Sequence, residues 1–154
     1  MIEDPSYNAR KGNSVNSITS RTGMFASRRD SLRAARDFLE GFCAAAAVAR
    51  QPCLKLNLVI EELFLNTVKH GHRGGSDAPV WITLAAEDGV IRVTYEDRAP
   101  PFNPFAESTR EMLEALTVVR REGGLGVLLA HGFAAETDYA YVFGRNRIRL
   151  ALPA

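Results

Sequence analysis

The sequence predicts an α+β two-layer α/β sandwich: a mostly antiparallel sheet with its helices gathered on one face. Three observations predict it. Two stretches of helical period come first, strand-like stretches follow in two pairs, and each pair is joined by a short turn containing glycine. Strands linked by tight turns pair antiparallel, which leaves the helices to cover one face of the sheet.

Residues 1–20 are polar with few large apolar side chains, which predicts a flexible tail, with a short edge strand near 15–25. Ser27 followed by Asp30 resembles a helix start. Leu32, Ala35, Leu39, Phe42 and Ala46 then recur at three- and four-residue steps, the stripe of an amphipathic helix. Pro52 suits the first turn of a second helix, which runs to about His70 and stops at Gly71. This helix is apolar on nearly every side, which predicts that most of it is buried.

Strands over 80–86 and 90–96 flank Glu87-Asp88-Gly89, and Ile91, Val93 and Tyr95 alternate with polar residues. The proline-rich run 99–104 forbids regular structure. A helical pattern over 105–119, a glycine cluster at 123–126 opening a helix over 127–131, and strands over 136–143 and 147–152 complete the order. The last turn is expected at Gly144-Arg145-Asn146.

The chain of 154 residues, 46% of them hydrophobic, points to one domain over 21–154 with a single core. Nineteen basic and eighteen acidic residues give a net charge of +1, so charge argues for neither nucleic acid nor an anionic membrane as the main partner. Cys43 and Cys53 have no metal-ligand spacing and are expected as two buried thiols in a reducing cytosol. No segment approaches the ~18 apolar residues of a membrane span, and residues 1–20 lack a signal-peptide core. A cytoplasmic protein is expected.

Three places could carry chemistry. Glu62 and Asn66 stand four residues apart, on one face of the second helix, and Lys69 and His70 continue that face. They are either a solvated stripe or a carboxylate and an amide offered to a hard cation such as Mg²⁺. Asp97 closes a strand before the proline-rich bend, either as an ordinary strand-end acid or as an acceptor for an exocyclic amine. Gly123-Gly124-Leu125-Gly126 precedes a helix, where freed backbone N–H groups can face phosphate oxygens. It lacks the Lys-Ser/Thr tail of a P-loop.

In order along the chain, these segments resemble the motifs of one superfamily. Glu62-Leu63-Phe64-Leu65-Asn66-Thr67-Val68-Lys69-His70-Gly71 looks like the N-box of the ATPases shared by histidine kinases, DNA gyrase and the ninety-kilodalton chaperones. Asp97-Arg98-Ala99-Pro100-Pro101-Phe102-Asn103-Pro104 resembles the first glycine box as anti-sigma-factor serine kinases carry it, and Gly123-Gly124-Leu125-Gly126-Val127 the second. The closing segment around Gly144-Arg145-Asn146 resembles the last hairpin of the same branch, so the likeness covers roughly 25–152. Ala99 departs from the family's usual Gly, and Asn103 from its frequent Asp.

The resemblance implies a Bergerat-type fold and an ATP-Mg²⁺-dependent protein serine/threonine kinase. Glu62 would be the general base, Asn66 the Mg²⁺ ligand and Asp97 the reader of adenine. Lys69, His70, Ala99 and the loop Gly123, Gly124, Leu125, Gly126 and Val127 would complete the nucleotide site, under a lid over 103–122. It also implies the partners: an anti-sigma-factor antagonist protein as substrate, a sigma factor as competing client, and a homodimer. The alternative is a non-catalytic module that switches partners with ATP.

Overall fold

The computed structural model describes residues 19–71, 74–105 and 132–154. Helices α1 (Leu32–Ala45) and α2 (Arg50–Asn66) pack on a sheet of β1 (Thr19–Ala26), β2 (Pro79–Glu87), β3 (Val90–Asp97), β4 (Glu136–Val142) and β5 (Arg145–Pro153). Every neighbouring pair is antiparallel, in the order β1-β2-β3-β5-β4. The α+β class predicted above is the one observed. The tail over 1–18, the helical patterns after 105 and the glycine cluster at 123–126 lie outside the described residues.

A 3₁₀ turn, Arg29–Ser31, leads into α1, which buries Ala35, Leu39, Phe42 and Cys43. Ser27 does not cap this helix. It directly follows β1 and is fully buried, and its hydroxyl donates to the Ala78 carbonyl at 2.8 Å, tying the end of β1 to the approach to β2. Pro52 does fall in the first turn of α2, where its missing N–H breaks no helical bond.

α2 turns Cys53, Leu56, Val59, Ile60, Leu63 and Phe64 inward. The expectation that most of it is buried does not extend to Leu54 and Leu58, which are 46% and 40% exposed. A helix lying on one sheet has a single covered face, and α2 carries more apolar residues than that face holds. Its inward side chains meet Val80, Ile82, Leu84, Ile91, Val93, Tyr95, Ile148, Leu150 and Leu152 of the strands in one core. Each large side chain so buried contributes about 1.5–3 kcal/mol. Cys43 and Cys53 are both buried and both free.

Both hairpins close through two residues. Asp88 and Gly89 have φ of 50° and 73°, and Phe143 and Gly144 have φ of 53° and 74°. Two left-handed residues in a row match the twist of the flanking strands. The second turn therefore sits earlier than the sequence predicted, and Arg145 and Asn146 belong to β5 instead of the turn. The shift has a chemical consequence, because it places Asn146 directly opposite Asp97 across β3 and β5.

Candidate functional site

At the C-terminal end of α2 the helix widens into a π turn over Thr67–Gly71. Such turns insert a residue and re-aim the side chains beside them. Thr67 faces inward at this point, and its hydroxyl lies within 3.1 Å of the Leu63 carbonyl, 2.6 Å of the Tyr95 hydroxyl and 2.8 Å of Asp97 Oδ2. The Leu63 carbonyl and the carboxylate both only accept; the charged and nearer Asp97 is the stronger acceptor and takes the single Thr67 proton, and the Tyr95 hydroxyl supplies the proton between the two alcohols. Burial first, with the Asp97 charge adding to it, holds the Tyr95 hydroxyl well above its ordinary pKa. It stays a donor.

The other Asp97 oxygen is held as firmly. Asn146 Nδ2 donates to Oδ1 at 2.8 Å, and the Ala99 backbone N–H donates to it at 3.1 Å. The same Asn146 amide nitrogen reaches the carbonyls of Ala99 at 3.0 Å and Pro100 at 3.1 Å. Its Oδ1 accepts from the Phe102 N–H at 3.0 Å and from the Tyr139 hydroxyl at 2.6 Å. One amide thus pins β4, the carboxylate ending β3 and the proline-rich bend in a single arrangement. Asp97 is 5% exposed and Asn146 3%. Buried polar groups of this kind persist only when paired, and these are.

These residues enclose a cavity of about 250 Å³. Asn66, Thr67, Asp97, Ala99 and Asn146 supply its polar side and backbone atoms, while Leu63, Tyr95, Pro100, Pro101, Phe102, Pro104 and Ile148 make most of the rest. Gly71 also lines it, close to Ala99: a Cβ on Gly71 would fall 2.5 Å from that of Ala99. Ala99 is not left-handed, so its methyl group requires no backbone strain. The missing side chain at position 71 is what makes room for it.

Glu62 stands one turn back on α2 and does not line the cavity. One of its oxygens, Oε2, is shut off from solvent with no hydrogen-bond partner among the described residues, although the residue as a whole is half-buried. Burial raises its pKa; Lys69 pulls it back and Glu61 adds to the rise. Lys69 is therefore near enough to act on Glu62. Glu61 pairs with Arg36 at 2.7 Å and bridges the two helices.

The structure thus brings Asn66, Asp97 and Ala99 onto one cavity and sets Glu62 and Lys69 beside it. The His70 backbone is part of the π turn. The His70 side chain and Gly123, Gly124, Leu125, Gly126 and Val127 lie outside the described residues. Sequence reasoning missed Thr67, Tyr95, Tyr139 and Asn146. The sequence signal available was a run of polar or hydroxyl-bearing residues at positions that the strand and helix patterns turn inward.

No curated protein matches the chain. The solved structure of the RsbU and RsbW domains of Rv1364c from Mycobacterium tuberculosis is similar in fold, with a TM-score of 0.61 at 16% identity. The match covers 87% of this chain and 32% of that one. A family model described as the histidine kinase-like ATPase domain matches residues 25–152. With a carboxylate fixed at a strand end, an asparagine on the facing helix and a family match over most of its length, the chain belongs to the histidine kinase-like ATPase domain family.

Proposed function

We propose that the protein binds ATP with Mg²⁺ and transfers the γ-phosphoryl group to a Ser or Thr of an anti-sigma-factor antagonist, exchanging that partner for a sigma factor. The observation that carries the reading is the Asp97 carboxylate, held at both oxygens and presented to a mostly apolar cavity. A cavity of about 250 Å³ lies just below the ~300–1,000 Å³ of whole-ligand pockets, and suits a base more than a complete nucleotide. An exocyclic amine donating to Asp97 satisfies an acceptor that bulk water reaches poorly, which favours a base carrying that amine over one without it.

The phosphates would extend past Asn66 towards Lys69, His70, Gly123, Gly124, Leu125, Gly126 and Val127. Asn66 supplies an amide oxygen of the kind a hard cation takes, so it would hold Mg²⁺, which when bound neutralises phosphate charge. In the transfer, the acceptor hydroxyl oxygen forms a bond to the γ-phosphorus, the bond to the β,γ-bridging oxygen breaks, and ADP leaves. The hydroxyl proton passes to the Glu62 carboxylate. A carboxylate with a raised pKa is the better base near neutrality. Binding, positioning and one base suffice for such a transfer. The antagonist, the sigma factor and a homodimer are supported by family resemblance.

A second reading, a non-catalytic ATP-dependent switch, is favoured by one observation: Glu62 does not line the cavity that Asn66 and Asp97 share. The Glu62→Gln variant separates the two. Labelled ATP and a purified antagonist should yield acid-stable phosphoserine or phosphothreonine with the wild type. The variant should bind ATP with unchanged affinity and transfer nothing. Transfer at the wild-type rate by the variant removes Glu62 as base, and no transfer by either protein leaves the switch.

A further inference from the structure

The face of the sheet turned away from the helices carries matched charges along part of its length. Asp138 stands opposite Arg149 across β4 and β5, and Arg92 reaches Glu136 at 3.9 Å. Towards the hairpin tip the matching stops. Ala140 stands opposite Arg147, and Val142 opposite Arg145.

On the other flank, Glu96 is the register partner of Arg147, yet its Oε2 lies 3.8 Å from Arg145. Arg98 adds a third guanidinium, and among the described residues neither Arg98 nor Arg147 has a carboxylate partner. Arg147 Nε is enclosed without a hydrogen-bond acceptor. Three arginines therefore share one acid. Two of them lie over Trp81, with Arg145 Cζ 3.6 Å and Arg98 Cζ 5.4 Å from its ring centroid.

Apolar side chains border the same patch. Met24, the register partner of Trp81, is 67% exposed, and Phe143, two residues before Arg145, is 98% exposed. Phe143 also holds a φ of 53° in a turn where Asn would be comfortable and a bulky side chain is strained. An aromatic kept in solvent in a disfavoured conformation stabilises nothing in this chain.

We propose that this end of the outer sheet face docks an acidic segment of a partner protein that also carries apolar side chains. Carboxylates of that segment answer Arg98, Arg145 and Arg147, and one apolar side chain of it meets Trp81 and Met24, while Phe143, three strand spacings away across the sheet, takes a second. A second copy of the chain fits badly, because a two-fold contact through this patch sets arginines against arginines. A net charge of only +1 and the apolar border favour protein over nucleic acid. Nothing in this inference depends on nucleotide.

Trp81 is the only tryptophan, so its emission reports on the patch directly. The full chain is titrated with a labelled, short Glu- and Leu-rich peptide containing one Phe. Saturable binding that changes Trp81 emission and weakens with salt is expected. The Arg145→Ala/Arg147→Ala double variant should bind about tenfold more weakly or worse. Phe143→Asn should also weaken binding while melting at or above the wild-type temperature, since Asn-Gly is the preferred pair for this turn. A loss of binding in Phe143→Asn therefore cannot come from misfolding. Four results would overturn the proposal: equal binding of a Lys- and Leu-rich peptide, undiminished binding by both variants, displacement of the peptide by an oligonucleotide of matching charge, or a dimer that the double variant converts to monomer.

Discussion

At the scale of single residues, the site rests on groups that each do two things. Tyr95 fills the core and also supplies the proton that frees Thr67 to donate to Asp97. Tyr95→Phe keeps the ring and removes the hydroxyl that meets Thr67 at 2.6 Å and the Leu63 carbonyl at 3.2 Å. The expected loss is about 1 kcal/mol, read from the urea midpoint at unchanged slope. An unchanged midpoint would show that the hydroxyl contributes no net stability. Glu62 makes the opposite kind of prediction. Its folded pKa is raised, so its contribution to stability is full below the ordinary carboxyl pKa and is lost as pH rises through the raised value. Glu62→Gln should therefore be more stable than the wild type at neutral pH, with the gain closing in acid; urea melts across pH test this. Asp97 and Asn66 were legible in the sequence because their residue types and order match a known pattern. Asn146 was not: it was read as part of a turn, and all its side chain's hydrogen-bond partners except Tyr139 lie 44 to 49 residues away.

At the scale of elements, the close approach of the π turn to the bend after β3 governs the mouth of the cavity. Gly71→Ala would place a methyl carbon 2.5 Å from that of Ala99, a contact that one of the two segments must relieve by moving. Overpacking of this kind costs about 1–3 kcal/mol, and here the displaced bend carries the Ala99 N–H that holds Asp97, so nucleotide affinity should fall as well. Ala99→Gly in the same chain should restore both, and a double-mutant cycle measures the coupling directly. Additive effects of the two changes would mean that the segments adjust independently. The helices and strands of the described residues were legible as types, since period and turn chemistry decide them. The π turn was not, because widening a helix by one residue leaves no mark on its apolar spacing.

At the scale of the molecule, one core serves both helices and the whole inner sheet face, so stability should divide sharply by position. Phe42→Ala, at a side chain with 0% exposure, should remove about 3–5 kcal/mol, whereas Leu58→Ala, 40% exposed on the outer side of α2, should stay within ~0.5 kcal/mol. Equilibrium unfolding of the two variants checks the contrast, and similar losses would place a partner of α2 where none is described. The strand order has a consequence for synthesis. β5 follows the other strands in sequence, yet it lies inside the sheet between β3 and β4. During translation, β3 must wait with an open edge until Arg145 and the residues after it have left the ribosome. Until then Asp97 has no Asn146, and the cavity lacks the Asn146 and Ile148 part of its lining. A chain halted after Val142 should be open to protease and unable to retain ATP, so that nucleotide can be held only by a finished molecule.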